Sequence, residues 1–545
     1  SSFVDLQGVV FAMLLSLVIA EIMHYIVYGW DLRFVRLQGR QIVAMYIVAT
    51  IGMIAFRVLV KSLYDVMVNS SKGVRTLIYG VQSGGIGLAK NIRNEKNSKF
   101  RLKGFISHDK TYKGRLLLGE KTFMINDQLA NHLKELNIQA VLVSPIQVEQ
   151  FRLDSKLQDI LLSAGVKIYF THRTEAWSEE DDLTHVQLKG ISIEDLLPRD
   201  QIMVDMNAIG NLLRGKKIMI TGSAGSIGSE IVKQIASYNP EELILIDQAE
   251  TPQHDLRLIM HYEWPKIKAQ TIVANIANYD RMETIFSKYR PEYVFHAAAY
   301  KHVPMMENNP SESIQNNIWG TKVIADLSVK YGVRKFVMIS TDKAVNPTNI
   351  MGASKRLCEM VIQMMNRQTG TDFVAVRFGN VLGSNGSVIP LFKKQIEDGG
   401  PVTVTDKRII RYFMTIPEAV ALVLQAGLYA HGGEIFVLDM GEPVKIDDMA
   451  RNLIRLSGLE PDVDIQIVYT GLRPGEKLYE EMLMSEEGLK ETPNKLIHVG
   501  EPIEMDDELF EKQLEMLEKA CTSEAKDIKQ IVASVVKTYH PDLEN

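Results

Sequence analysis

The stretch that decides the fold is KKIMITGSAGSIGSEIVKQI, Lys216 to Ile235. An apolar run, Ile218 to Ile220, passes at once into glycines at 222, 225 and 228 and then into a helical pattern. That order predicts a buried parallel strand, a tight turn and a helix. Gly222, Gly225 and Gly228 suit the turn because glycine accepts left-handed backbone and lets a ligand's phosphates reach the main chain, while the helix N-terminus presents unpaired N–H groups to an anion. Ser223, Ser226 and Ile227 fill the same loop and join the glycines as candidate contacts with a nucleotide. Nineteen residues after Gly228 the strand ELILI ends in Asp247. A carboxylate there accepts from both ribose hydroxyls and repels a 2′-phosphate, so the unit predicts NAD rather than NADP.

Downstream, KFVMISTDKAVNPTNIMGASK (Lys335 to Lys355) gives a second strand, Phe336 to Ile339, ending in Ser340 and Thr341. Hydroxyls at the carboxyl edge of a parallel sheet lie where ligands bind. Asp342 and Lys343 follow as an adjacent acid and base, then a turn through Asn346, Pro347 and Asn349, then a helix with Met351 and Lys355 one turn apart on one face. Between the two stretches, YVFHAAAYKHVP closes a strand in Ala297, Ala298 and Ala299, small enough for the backbone to lie against a cofactor.

Upstream, residues 73 to 200 repeat the strand–helix alternation. TLIYG leads into VQSGGIGLAKNI with Gly80 and Gly85 in place, but Gln82 stands where a third glycine would admit a pyrophosphate. This predicts a Rossmann-like domain that keeps the architecture without the nucleotide. Residues 1 to 66 carry two apolar segments, from Gly8 to Trp30 and from Ile42 to Val60, each near the roughly 20 residues needed to cross a bilayer. They predict a transmembrane helical hairpin in contact with membrane lipid. Glu21, His24 and Arg57 are costly there unless they face an interface or a partner helix. Arg33, Arg36 and Arg40 on one side and Lys61, Lys72 and Arg75 on the other leave the topology open.

The composition narrows the class. The 545 residues are 46% hydrophobic and 23% charged with a net charge of −6, ordinary for globular protein, and no basic block interleaved with aromatics marks a nucleic-acid surface. Two cysteines, Cys358 and Cys521, make neither a disulfide framework nor a metal site, and no metal is expected.

A Ser/Thr-ended strand followed by a helical Tyr-x-x-x-Lys is the pattern of the short-chain dehydrogenase/reductase superfamily, which the chain resembles with Met351 in the tyrosine's place. Three more segments sharpen the likeness: RFGNVLGSNGSVIP (Arg377 to Pro390), RYFMTIPEAV (Arg411 to Val420) and TGLRPGEKLYEE (Thr470 to Glu481). Together they resemble the membrane-anchored UDP-N-acetylglucosamine 4,6-dehydratases, nucleoside-diphosphate-sugar dehydratases of bacterial capsule and glycan biosynthesis. The fold this implies is α/β, with two Rossmann-like doubly wound parallel-sheet domains preceded by an N-terminal transmembrane helical hairpin. Its expected divisions are membrane helices over 1–66, a degenerate Rossmann-like domain over 73–200, an NAD-binding catalytic domain with a carboxyl-terminal substrate lobe over 201–500, and a helical tail over 501–545. The membrane region is shorter than the family's, which predicts a truncated chain.

The resemblance implies UDP-N-acetylglucosamine as substrate, NAD as cofactor, a homo-oligomer, and a place in the bacterial inner membrane with the catalytic domains facing the cytoplasm. Oxidation at sugar C4 acidifies the hydrogen on C5, water is lost across C5 and C6, and the hydride returns to C6, giving a UDP-4-keto-6-deoxy-N-acetylhexosamine. By resemblance Asp342 is the acid at C6 and Lys343 the base at C5, a role requiring a lysine pKa lowered by burial or by Lys355. Met351 carries no proton, which leaves Thr341, Asp342 or water to receive the one from O4. Lys355 would hold the nicotinamide ribose, Asn275 and Ile276 would meet the adenine, and Asn317 stands at the superfamily's helix asparagine. Arg411 and Arg473 would grip the diphosphate and Glu476 the uridine ribose, with Lys301, Asn380 and Ser387 as further substrate contacts. Two other readings share these motifs: a UDP-N-acetylhexosamine 4-epimerase, and a noncatalytic NAD-bound membrane scaffold.

Overall fold

Alternating apolar residues along each central strand are sorted to opposite faces of one sheet, and that sorting builds the larger half of the molecule. The computed structural model describes residues 2–29, 39–68, 73–94, 98–126, 128–171, 188–190, 202–480, 488–500 and 502–541. Met219, Ile244, Ile246, Val294, Phe336 and Met338 join the core on one side. Their neighbours Ile218, Ile220, Leu243, Leu245, Phe295 and Val337 join the core on the other. A strand whose successive side chains point to opposite faces buries both only when helices cover both, so these strands read as continuous apolar runs.

The sheet runs Ala269–Val273, Glu242–Asp247, Lys217–Thr221, Tyr293–His296, Lys335–Thr341, Asp372–Phe378 and Ile435–Leu438, all parallel, and then Ile497–Gly500 and Lys490–Glu491 as antiparallel edge strands. The strand order reverses between Lys217–Thr221 and Tyr293–His296. Ligands bind beyond the carboxyl ends of such strands, at that crevice. Residues beyond the sheet form a smaller lobe from Asn380–Val381, Ile410–Met414 and Pro443–Lys445, with a pair Val402–Val404 and Ile467–Tyr469 beside it. The tail helices Asp507–Thr522 and Ile528–Val535 bury Phe510, Leu514 and Val532 in the core of the catalytic sheet, so the tail belongs to this unit.

The chain divides into two compact units, one built on Ser1–Leu142, the other on Val143–Trp177 and Val186–Asn545. This differs from the division expected near residue 200. Helix Ser155–Ser163 packs on Ile446–Leu456 within the second unit. In the first unit, the strands Leu116–Leu117, Glu120–Met124, Phe100–Ser107 and Val74–Tyr79 lie side by side in that order. A Cβ at Gly85 would overlap the Gly80 carbonyl, so both glycines serve helix–strand packing here.

The same unit carries helices Ser2–Gly29 and Gly39–Val68, which pair side by side with Ser16 Oγ 2.9 Å from Tyr46 Oη. Among the described residues one segment, Gly39–Arg57, is long and apolar enough to cross a membrane, with mean hydropathy 1.5; Val10–Ile26 is shorter. Apolar side chains such as Phe11, Leu15, Ile47 and Phe56 stand exposed. Arg33, Arg36 and Lys72 lie outside the described residues, and so does the side chain of Lys61.

Candidate active site

The nucleotide loop folds as its glycines require. Gly222 has φ +68°, and a Cβ there would lie 2.6 Å from the Ala298 nitrogen; one at Gly228 would overlap the Gly222 carbonyl. Helix Ser226–Ala236 starts from Gly225 with no side-chain cap, so its first N–H groups are open to an anion. Asp247 Oδ2 accepts from the Ala224 nitrogen at 3.1 Å and Oδ1 from the Ala249 nitrogen at 2.9 Å, which fixes the carboxylate at the crevice mouth. Gly222, Gly225, Asp247, Ile276 and Ala297 to Ala299 line one cavity.

Five residues expected to meet the nucleotide are engaged within the protein instead. The Ser223 hydroxyl is fully buried and donates to Gln253 Oε1 at 3.0 Å, so only the backbone of that residue faces the loop. Ser226 Oγ accepts from the Asn385 nitrogen at 3.0 Å and ties the loop to the substrate lobe. Asn275 is exposed and accepts from Ala277 in its own turn at 2.8 Å, leaving Ala274 and Ile276 to line the cavity. Asn317 is wholly engaged: its amide oxygen accepts from the Tyr300 nitrogen at 2.7 Å, and its amide nitrogen donates to Tyr300 O and Ser354 Oγ. Its neighbour Asn316 faces the crevice instead. Ile227 is partly buried against the core and acts through packing.

Lys355 completes the fit for a dinucleotide. It is 6% exposed, and no hydrogen-bond acceptor meets its ammonium among the described residues. Burial lowers its pKa, against the opposing pull of Cys358 and Glu359. A buried cation without a partner suits a pair of ribose hydroxyls. Close by, His296 bridges Thr221 Oγ1 at 2.7 Å and Thr321 Oγ1 at 2.9 Å. Its full burial, with Lys355 near, takes its pKa down to about 3, so the ring is neutral.

The strand Lys335–Thr341 delivers the Asp342–Lys343 dipeptide. Behind it, Glu359 accepts from Ser340 Oγ at 2.6 Å and from Arg377 at 2.8 and 2.6 Å, a buried pair that locks the strand to helix Ile350–Gln368 and to its neighbour strand. That helix starts at Asn349, whose side chain accepts from the Gly352 nitrogen, and Glu307 accepts from the Ile350 nitrogen at 2.6 Å. A Cβ at Gly352 would overlap the Lys343 carbonyl, so this glycine lets the helix sit directly on the dipeptide. Met351 is 4% exposed and packs in the core.

At the strand's end Thr341 Oγ1 donates to Asp342 Oδ1 at 2.9 Å. Lys343 Nζ lies 3.1 Å from Asp342 Oδ1, 2.8 Å from Glu480 Oε1 and 3.4 Å from Asn380 Oδ1. Asp342 is buried with Oδ2 unpartnered. Burial pushes its carboxyl up to about 6; Lys343 opposes the shift and Glu480 adds to it. For Lys343 the balance runs against expectation. Burial works to lower its pKa, but the Asp342 and Glu480 carboxylates outweigh it and hold the ammonium charged well above the ordinary lysine range. Glu480, opposed by its own burial, is kept ionised to about 2 by Lys343 and Arg411.

The loop from Leu472 to Glu480 docks on this turn. Gly475 has φ +73°, and its carbonyl accepts from Thr348 Oγ1 and Asn349 Nδ2, each at 3.1 Å. A cavity of about 210 Å³ opens between them, lined by Lys343, Asn380, Arg411, Arg473 and Glu476 among others. Arg411 is not the free fork expected of it. Its guanidinium donates to the carbonyls of Ile410, Leu478 and Lys477 and pairs with Glu476 at 3.3 Å and Glu480 at 3.1 Å. Arg473 is exposed at the cavity with no side-chain partner among the described residues, the arrangement a diphosphate needs. Ser387 stands at the N-cap position of helix Val388–Glu397 without a side-chain cap bond, its hydroxyl buried and outside the cavity lining, and Lys301 is exposed near the rim residues Val303 and Pro304. Glu480 escapes a reading of the sequence alone. It lies inside TGLRPGEKLYEE, four positions beyond Glu476, and only the docked loop reveals that it meets Lys343.

Residues 218–502 match the model of a family described as polysaccharide biosynthesis protein. Over 434 residues the chain is 42% identical to the probable polysaccharide biosynthesis protein EpsC of Bacillus subtilis, covering 79% of this chain and 72% of that one. It is 34% identical over 281 residues to a UDP-N-acetylglucosamine 4,6-dehydratase (inverting) of Campylobacter jejuni, covering 51% of this chain and 80% of that one. A UDP-glucose 4-epimerase of Rickettsia massiliae is 35% identical over 282 residues, with coverage of 50% and 80%.

Proposed function

The chain belongs to the polysaccharide biosynthesis protein family, among short-chain dehydrogenase/reductase enzymes that modify nucleotide sugars, and from that premise we propose that it is an NAD-dependent UDP-N-acetylglucosamine 4,6-dehydratase. The observation that carries this reading is the Asp342–Lys343 pair at the end of a central strand: a carboxyl lifted toward neutrality beside an amine that faces the substrate cavity.

When bound, the nicotinamide supplies the two-electron oxidation at sugar C4 and the matching reduction at C6. The chain's residues handle the protons. Asp342, neutral in appreciable fraction near pH 6, gives its proton to the departing C6 hydroxyl, and Lys343 as the amine takes the proton of C5. Lys343 must first leave the two carboxylates that hold it charged. Arg473 and Glu476 take the diphosphate and the uridine ribose, while Arg411 braces the loop that carries them. Thr341, bonded to Asp342, relays the O4 proton, because Met351 has none to exchange. We read the amino-terminal helices as a membrane anchor, on the apolar length of Gly39–Arg57.

An epimerase of the same family would use the cofactor and the sugar nucleotide in the same way, yet it has no water to expel and no need of an acid at C6. Asp342→Asn and Lys343→Met therefore test the assignment. Each should abolish water loss from UDP-N-acetylglucosamine while the protein keeps its NAD; an unchanged rate in both rejects these roles for the two side chains.

A further inference from the structure

Glu480 takes no part in the dehydration steps, yet its surroundings are built. Its side chain is 5% exposed. Oε1 faces Lys343 Nζ at 2.8 Å and Arg411 Nε at 3.1 Å, and Oε2 accepts from Asn380 Nδ2 at 3.0 Å. Three donors from three different segments thus fix one buried carboxylate, and Arg411 and Asn380 would hold it in place when Lys343 moves. A buried carboxylate is costly to keep unless it is paired, and removing a partner leaves the remaining charge exposed to that cost.

Resting on the dehydratase reading, we propose that Glu480 is a positioning residue of the reaction: it seats the Lys343 ammonium, the form that lysine takes once it holds the proton of C5. The proton count closes around this seat. Lys343 releases one proton to water through the open cavity and becomes the amine. The amine takes the proton of C5, Asp342 gives its own to the C6 hydroxyl and water leaves. The ammonium, held against Glu480, returns its proton to C5 as C6 is reduced, Asp342 is restored by a proton equivalent to that lost from O4, and the Lys343 amine regains from water the proton it released at the start. In this cycle Glu480 exchanges no proton. Its charge sets how tightly Lys343 and Asp342 hold theirs.

The charged and titratable groups facing this point are Asp342 and Lys343 from the strand's end, Arg411 from strand Ile410–Met414, and Arg473, Glu476 and Lys477 from the docked loop. Removing the negative charge of Glu480 makes both Lys343 and Asp342 give up protons more readily. Both limbs of the pH–kcat profile must then move to lower pH.

The test uses the full chain in detergent with UDP-N-acetylglucosamine, comparing wild type, Glu480→Gln and Glu480→Asp. For Glu480→Gln we expect kcat to fall about 10- to 100-fold, KM to change less than about threefold, and both limbs to shift down by about one unit or more. Glu480→Asp keeps the charge that Arg411 pairs with, and its limbs should fall between the two. This variant decides the matter should the glutamine variant fail to fold. A reduced kcat with unmoved limbs, or a raised KM with kcat unchanged, overturns the proposal. Wild-type protein that releases no water would instead overturn the dehydratase reading.

Discussion

The Lys343 ammonium lies closer to Glu480, at 2.8 Å, than to its chain neighbour Asp342, at 3.1 Å. The Asp342–Lys343 dipeptide is thereby joined by a residue 137 positions beyond Lys343, and the loop bearing it stays in place through Gly475 and Arg411. Lys343 is held as the ammonium, whereas the proposed base must give that proton up, while the Asp342 carboxyl, pushed up to about 6 by burial, keeps its own proton in part near that pH.

Asp342 makes stability depend on pH in a definite direction. Its folded carboxyl is raised from 3.8 to about 6, so its contribution is fully present below about pH 4 and is lost as pH rises through 6. Asp342→Asn should raise the melting temperature at pH 7.5 and lose that advantage by pH 4, while kcat falls at least about 100-fold. Calorimetry at the two pH values checks it.

Lys355 is buried with a lowered pKa and no acceptor among the described residues, so it destabilises the cofactor-free protein near neutrality. Lys355→Met should raise the melting temperature of NAD-free protein and weaken NAD binding about tenfold or more. Titration calorimetry and thermal scans with and without NAD separate the two effects.

The two arginines of the substrate lobe should part company. Arg473, without a side-chain partner among the described residues, should raise KM about tenfold or more on substitution by alanine with little effect on melting. Arg411 holds Glu476, Glu480 and three carbonyls, so Arg411→Ala should lower the melting temperature as well as activity.

Behind the site, Arg377 and Glu359 are both nearly inaccessible and bonded at 2.6 Å. Arg377→Met leaves Glu359 with Arg356 at 3.6 Å as its remaining cation and should cost about 3–5 kcal/mol, measured by denaturant unfolding.

The parallel strands, the glycine loop and Asp247 were legible in the sequence because local periodicity and spacing specify them. The dipeptide was legible for the same reason, standing where an apolar strand runs out. Glu480, the engagement of Arg411 and the inward turn of Asn317 were not, because each depends on how segments distant in sequence dock. Lys343 shows the limit most clearly: burial alone predicts a lowered pKa, and two carboxylates, one of them 137 residues on, reverse the sign.

The most direct measurement is the mass of the sugar nucleotide recovered after incubating the purified chain with UDP-N-acetylglucosamine and catalytic NAD. A dehydratase yields a product lighter by one water, formed with no net change in NAD. Recovery of a product of unchanged mass, or of substrate alone, would contradict the dehydratase reading.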